Sequence, residues 1–262
     1  MTNTNGTIRV DAVDNLANTA PTLNLQGNSA ITGTTIDDGT IINHGILEAT
    51  SGINIIKNVA TGSNPSDAGE QFINDGTIAV KFTATLTLDT DVLDNAGGTI
   101  NVHSNATLNL NAVTIRGGTF TGAGDIYVLG TETTLDGSGS HPITIDDGTA
   151  ITLRTGSTLT LDGTGGGSIN GLGMIAIDTG PATIVADGTI SVLVDATGLV
   201  DDTLLTLQGT AALTLNNLAG DLNASTFTGE LTITTANVVG SAVVVVNGSG
   251  FTPASAPSTA SM

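Results

Sequence analysis

Aspartate is the residue with which this chain could do chemistry. Of its 24 acidic residues twenty are Asp and four are Glu, set against 5 Lys plus Arg and 3 His in 262 residues. The aspartates gather in doublets or directly before glycine, as Asp37-Asp38-Gly39, Asn74-Asp75-Gly76, Asp146-Asp147-Gly148 and Asp187-Gly188, and Asp125 follows Gly122-Ala-Gly124. Calcium takes carboxylate and carbonyl oxygens from such turns, which makes Asp37, Asp38, Asp125, Asp146 and Asp147 candidate calcium ligands. Two carboxylates with a nearby base could also support hydrolysis or, with calcium, β-elimination on a polysaccharide. Asp37 and Asp38 lie close to His44, and Asp146 and Asp147 fall between His141 and Arg154. The third account is conformational: an Asp side chain hydrogen-bonds its own backbone in turns and tolerates left-handed φ. Asp before Gly is on that account first of all a corner, and the scatter of Arg9, Lys57, Lys81, Arg116 and His103 favours it over a catalytic constellation. No catalytic residue is expected.

Other chemistries are thinner still. The calcium β-roll nonapeptide Gly-Gly-x-Gly-x-Asp-x-apolar-x is approached only by Gly122-Ala-Gly-Asp-Ile-Tyr127 and Gly165-Gly-Gly-Ser-Ile-Asn170, and neither keeps the full pattern. Thr-x-Thr pairs at Thr85, Thr158 and Thr232 suggest an ice-binding face, but counting from each unit's Gly places Tyr127 after Thr85 and Thr107, so the ladder breaks after two rungs. Nucleophile elbows, P-loops and His-x-x-x-His zinc spacings are absent.

The elements that must position these residues repeat. Gly-Thr blocks begin at Gly76, Gly98, Gly118, Gly148, Gly188 and Gly209, and the intervals 76 to 98, 98 to 118 and 188 to 209 point to a unit close to twenty-one residues. The longer gaps read as degenerate copies or insertions, with the polar stretch 62–70 as a projecting loop. Within a unit the apolar period is two, as in Ala106-Thr-Leu-Asn-Leu110 and Thr158-Leu-Thr-Leu161. Alternating β-branched residues between Gly, Asn and Asp read as short half-buried strands. Two or three strands cannot bury their own apolar face, whereas stacked units can. The expected fold is all-β: a parallel β-solenoid, a right-handed β-helix of about 21 residues per coil. Its divisions are 1–30 as N-terminal cap or linker, 31–250 as the solenoid and 251–262 as a Pro/Ala/Ser/Thr tail.

Composition bounds the partners. The formal charge of −19 excludes nucleic acid, since phosphate binding needs basic side chains. Five Phe, one Tyr and no Trp leave the core to Ile, Val, Leu and Ala, and without Cys there are no disulfides. The longest aliphatic block, Ala242 to Val246, is far short of the ~20 residues of a membrane helix. No basic and apolar leader is visible at the start, so an exported chain would use a route that needs no N-terminal signal peptide.

Three runs carry a resemblance: Asp38-Gly-Thr-Ile-Ile-Asn-His-Gly-Ile-Leu-Glu-Ala49, Asn74-Asp-Gly-Thr-Ile-Ala-Val80 and Asn95-Ala-Gly-Gly-Thr-Ile-Asn-Val-His-Ser-Asn-Ala-Thr-Leu-Asn-Leu110. They resemble the β-strand repeats of very large bacterial surface adhesins, the VCBS-associated and haemagglutinin-like chains. The stretch Leu218 to Thr235 is similar to strand repeats of RTX-type, calcium-dependent S-layer proteins. The resemblance implies a non-catalytic adhesive stalk, extracellular or on the cell surface and part of a longer chain, with glycans or other surface proteins as partners and no membrane insertion. It requires no cofactor, calcium being the one ion in question. The alternatives are a polysaccharide lyase or hydrolase and a calcium-dependent S-layer-like assembly.

Overall fold

The computed structural model describes residues 2–4, 7–10, 22–25, 35–37, 40–60, 71–200, 202–235 and 246–247. Every regular element among them is a β-strand, two to seven residues long. The chain visits three parallel sheets in turn, and each return pairs with the previous visit. Thr85–Asp89, Val92–Asp94 and Thr99–Val102 make one coil, and Thr107–Asn111, Thr114–Arg116 and Gly118–Thr121 the next. The molecule is a parallel β-solenoid. The first and second sheets hold eleven strands each and the third seven, which at ~4.8 Å per strand gives a stack ~48 Å long.

The repeat interval is one turn of the coil: Thr85 pairs with Thr107, Phe72 with Leu93 and Thr99 with Thr119. Departures from it are of two kinds. Coils shorten, as where Thr107 opposes Asp125, or lengthen, as where Thr133 opposes Leu159. The Gly-Thr dipeptide also occupies different corners: Gly76, Gly98 and Gly118 lead into the third sheet, whereas Gly148 precedes the first-sheet strand Ala150–Leu153. The gap from 118 to 148 therefore combines a lengthened coil, in which Phe120 opposes Ile145, with a change of corner, since its third-sheet strand, Ile143–Ile145, lacks the dipeptide. The segment read as an N-terminal cap supplies the terminal coil, Thr2–Thr4, Thr7–Val10 and Thr22–Leu25, one strand to each sheet. The stretch 62–70, the block 242–245 and the tail 251–262 lie outside the described residues.

Alternation makes these strands, because every second side chain faces the interior. In the first sheet Ile36, Ile56, Leu88, Leu110, Val128, Leu153 and Ile177 form one inward column, each opposite the next. The third sheet contributes Leu23, Leu47, Ile78, Ile100, Phe120 and Ile145. Aliphatic side chains of similar size stack rung on rung, so Trp and Tyr are not needed to fill the interior.

One buried polar column runs beside them at the corner between the second and third sheets. Asn43 Nδ2 donates to Asn74 Oδ1 at 2.6 Å, and Asn74 Nδ2 donates to Asn95 Oδ1 at 2.6 Å. Asn95 Nδ2 ends the run on the Gly117 carbonyl at 3.2 Å. All three Asn are fully buried, so each amide must find both partners within the stack. The column stops at Gly117, which follows Arg116 as Asn95 follows Asp94 and has no side chain to continue it; a Cβ on the next residue, Gly118, would lie 2.1 Å from Asn95 Nδ2.

Towards the C-terminal end the coil loses its third side. The inward column of the third sheet closes at Gly171, opposite Ile145, and only an isolated bridge from Ile169 to Ile190 continues it. The second sheet narrows in step, its inward column passing from Leu161 to Ala186 to Gly209. From Leu204 on, the chain turns directly from second sheet to first, and Leu213 opposes Leu231.

Candidate functional site

The candidate calcium ligands within the described residues fall on a strand end, a strand start and a corner. Asp37 ends the strand Thr35–Asp37 of the first sheet, with its backbone opposite Lys57; Asp38 lies outside the described residues. Asp146 and Asp147 form the corner after Ile143–Ile145, closed by the Thr149 N–H donating to the Asp146 carbonyl at 3.1 Å. Asp147 is exposed and Asp146 half-buried. Asp125 opens the strand Asp125–Leu129 on the outer face of the first sheet. Among the described residues no three His, Cys, Asp or Glu side chains are grouped so as to hold a metal ion. Asp75 does find a partner, His44 Nδ1 at 2.5 Å from its Oδ1 across adjacent coils.

The pairing of Asp146 and Asp147 with His141 and Arg154 does not assemble. His141 sits at the corner where the chain enters Ile143–Ile145 and Asp146 at the corner where it leaves, about 16 Å of extended chain apart. Arg154 turns to the outer face of the first sheet, where its Nη1 meets Asp178 Oδ2 at 3.0 Å and its guanidinium carbon lies 4.7 Å from the centre of the Tyr127 ring. Burial raises the Tyr127 phenol above its usual range, helped by the neighbouring Asp125 carboxylate and opposed by Arg154. The result is a cation sandwiched between an aromatic face and a carboxylate. It is self-satisfied and presents no nucleophile.

Around it the outer face of the first sheet is polar and locked. Asn109 Nδ2 donates to Thr87 Oγ1 at 3.3 Å, and Asn111 Nδ2 donates to Asp89 Oδ1 at 2.8 Å, each across one rung. Tyr127 opposes Asn109 and Asp125 opposes Thr107, so the register differs from the count that set Tyr127 after Thr107; the shortened coil shifts it by two residues. The Thr pairs of this face do not form an array. A longer Thr column lies on the third sheet instead, Thr77, Thr99, Thr119 and Thr144, with Ala79, Asn101 and Thr121 beside it.

The second sheet carries an ionic column that sequence spacing did not expose. Asp94, Arg116, Asp136, Asp162 and Asp187 stand on successive rungs. Arg116 Nε donates to Asp136 Oδ2 at 3.1 Å. The carboxylates otherwise accept from backbone and hydroxyl groups: Asp136 from Ser138, Asp162 from Thr164 and Asp187 from Thr210. For Asp136 and Asp162 the available signal was Asp-x-Ser/Thr, which marks them as local turn formers, whereas Asp187 is bonded across coils to Thr210.

No family model, curated protein or solved structure matches the chain.

A second cluster occupies the corner between the third and first sheets. Lys81 Nζ lies 3.4 Å from Glu48 Oε1 and 3.0 Å from His103 Nε2. Phe82, 58% exposed, tilts its ring at 44° to His103 with 6.1 Å between centres. Burial and the Lys81 ammonium hold His103 below the usual histidine range, and its Nε2 accepts a hydrogen bond from the Lys81 ammonium. Glu48, Lys81 and His103 come from three consecutive coils, which is why their separation in sequence hid them.

Proposed function

We propose that this chain is a non-catalytic structural segment of a bacterial surface protein, a β-solenoid stalk that acts outside the cell. The observation that supports this most is the state of its outer polar groups. They are bonded along the rungs, Asn to Thr, Asn to Asp, Arg to Asp, and no pair of carboxylates with a free base is brought together among the described residues. A rigid outer surface of repeating Asn, Thr and Asp suits many weak contacts, in which avidity grows with the number of engaged sites and needs no deep pocket. Glycans and other surface proteins are the partners of that kind. The polar stretch around Asn64, outside the described residues, is a second contact region on this reading. The net charge of −19 limits self-association and disfavours nucleic acid. Among the described residues no helix is long and apolar enough to cross a membrane. Membership of an adhesin-like longer chain belongs to the same proposal.

Solution scattering tests it. The stack gives an elongated monomer, with a long axis well above its cross-section. A compact spherical envelope overturns the stalk.

A further inference from the structure

We propose that Phe82, with Lys81, Glu48 and His103, forms a binding platform for a neutral pyranose of a surface glycan. The inference rests on the stalk reading and gives its contact surface an address.

The ring is held out rather than left over. Phe82 sits at the tip of a turn whose next residue, Thr83, has a φ of 64°. The turn is tied at three points: Lys81 N–H to the Ala49 carbonyl at 2.8 Å, Thr83 N–H to Asn105 at 3.0 Å and Ala84 N–H to Lys81 at 3.0 Å. A backbone fixed on both neighbouring coils costs the ring little further ordering when a ligand binds. The ring is tilted against His103 and remains 58% exposed. Of the other aromatic side chains described, Phe72, Phe120 and Phe227 are buried and Tyr127 lies under Arg154. Phe82 is thus the aromatic face this surface offers.

The polar groups beside it are equally fixed. Lys81 donates to His103 and forms an ion pair with Glu48, and an ammonium has three protons, so a donor remains for a ligand. Glu48 presents a second carboxylate oxygen as acceptor. A pyranose has one face of C–H groups and a rim of hydroxyls, which matches an aromatic face bordered by one donor and one acceptor. Three arguments narrow the class. Lys81 and Glu48 cancel, so the cluster has no net charge to attract a uronate or sulfate. The chain's charge of −19 repels polyanions. The apolar area is that of Phe82 plus Ile53, 40% exposed at the first-sheet strand opposite Thr85, among exposed Thr83, Ser104 and Asn105. An apolar face of about one ring, bordered by polar groups, matches the C–H face of one sugar ring.

The test is ligand-observed saturation-transfer NMR on the full chain with tetrasaccharides of glucose, galactose, mannose and N-acetylglucosamine, and with tetragalacturonate as the charged comparison. At least one neutral probe binds, with a dissociation constant on the order of 1 mM. Phe82→Ala weakens it at least tenfold, Phe82→Trp retains it and Glu48→Gln weakens it less than Phe82→Ala, the two Phe82 variants melting with the wild type because Phe82 is exposed. The idea is overturned by no transfer from any neutral probe, by binding that Phe82→Ala leaves unchanged, or by binding of tetragalacturonate alone. Concentration-dependent sedimentation abolished by Phe82→Ala would instead assign the face to a second copy. Scattering separates this result from the stalk: an elongated envelope without sugar binding sinks the platform alone, and a compact envelope sinks the stalk whatever Phe82 does.

Discussion

Asp91 is the ionisable residue most out of place. It is 1% exposed at the corner after Thr85–Asp89, where its Oδ1 accepts from the Val59 N–H at 2.7 Å and its Oδ2 from the Asp89 N–H at 3.1 Å. Burial pushes its carboxyl up to about 8 from the ordinary 3.8, against the pull of those two donors. The folded chain therefore keeps a proton that the unfolded chain releases between pH ~4 and ~8. Across that window the folded state binds more protons, so stability is greatest below it and falls as pH rises, by up to ~1.4 kcal/mol per unit. Asp91→Asn cannot ionise, and denaturant melts from pH 4 to 8 should show its stability curve flatter than the wild type's; parallel curves would contradict the buried acid. At Asp146 and Asp147 the expectation is the reverse. Their turn faces solvent away from His141 and Arg154, so Asn at either position should leave melting within about 0.5 kcal/mol, and no glycan should be cleaved by the wild type or the variants. Turnover that Asp146→Asn abolishes would reinstate an enzyme.

The corner between the second and third sheets shows how an element limits its own sequence. Asn74 serves two neighbours, accepting from Asn43 and donating to Asn95, so Asn74→Ala strands an amide on each side. With ~1–3 kcal/mol per unsatisfied buried group, a loss on the order of 3 kcal/mol is expected in urea melts. Gly118 and Gly97 make a sharper pair. Both have left-handed φ, 83° and 82°, so alanine carries a backbone cost of ~1–2 kcal/mol at either. At Gly97 nothing lies within 4 Å of the added carbon, whereas at Gly118 it meets the Asn95 amide at 2.1 Å and the Asn95 carbonyl at 2.3 Å. Gly118→Ala should cost several kcal/mol more than Gly97→Ala; equal costs would mean that the end of the Asn column is not packed as described. The same steric logic ends the third sheet at Gly171, whose missing side chain leaves room for the Ile145 carbonyl.

At the scale of the molecule the described interior is one apolar cluster running from Ile36 to Phe227. A ligand at ~100 times its dissociation constant would stabilise the fold by ~2.7 kcal/mol. Thermal melts with calcium and with excess chelator, at one ionic strength, should coincide; an upward shift with calcium would turn the Asp-Gly corners into sites and move the function towards an S-layer-like assembly. Charge acts more diffusely. Asp136, Asp162 and Asp187 stand on consecutive rungs with Arg116 at one end, so screening their repulsion with salt should stabilise the stack modestly.

What the sequence determined by itself was the architecture: period-two alternation fixed which side chains are buried, and the interval near twenty-one fixed the length of one coil. Both are local properties, written in neighbouring residues. The corner role of Asp146-Asp147-Gly148 was legible for the same reason, since a turn involves four residues. What only the tertiary structure decided is which residues meet across coils. The Asn43-Asn74-Asn95 column, the Asp94-to-Asp187 column and the Glu48-Lys81-His103 cluster join residues about 20 to 30 apart. Coils shorten and lengthen between them, and Gly-Thr marks more than one corner. A register error of two residues, as at Tyr127, is enough to misplace a side chain by a rung position. Counting cannot remove such errors, because the step from coil to coil is set by how each corner closes in three dimensions.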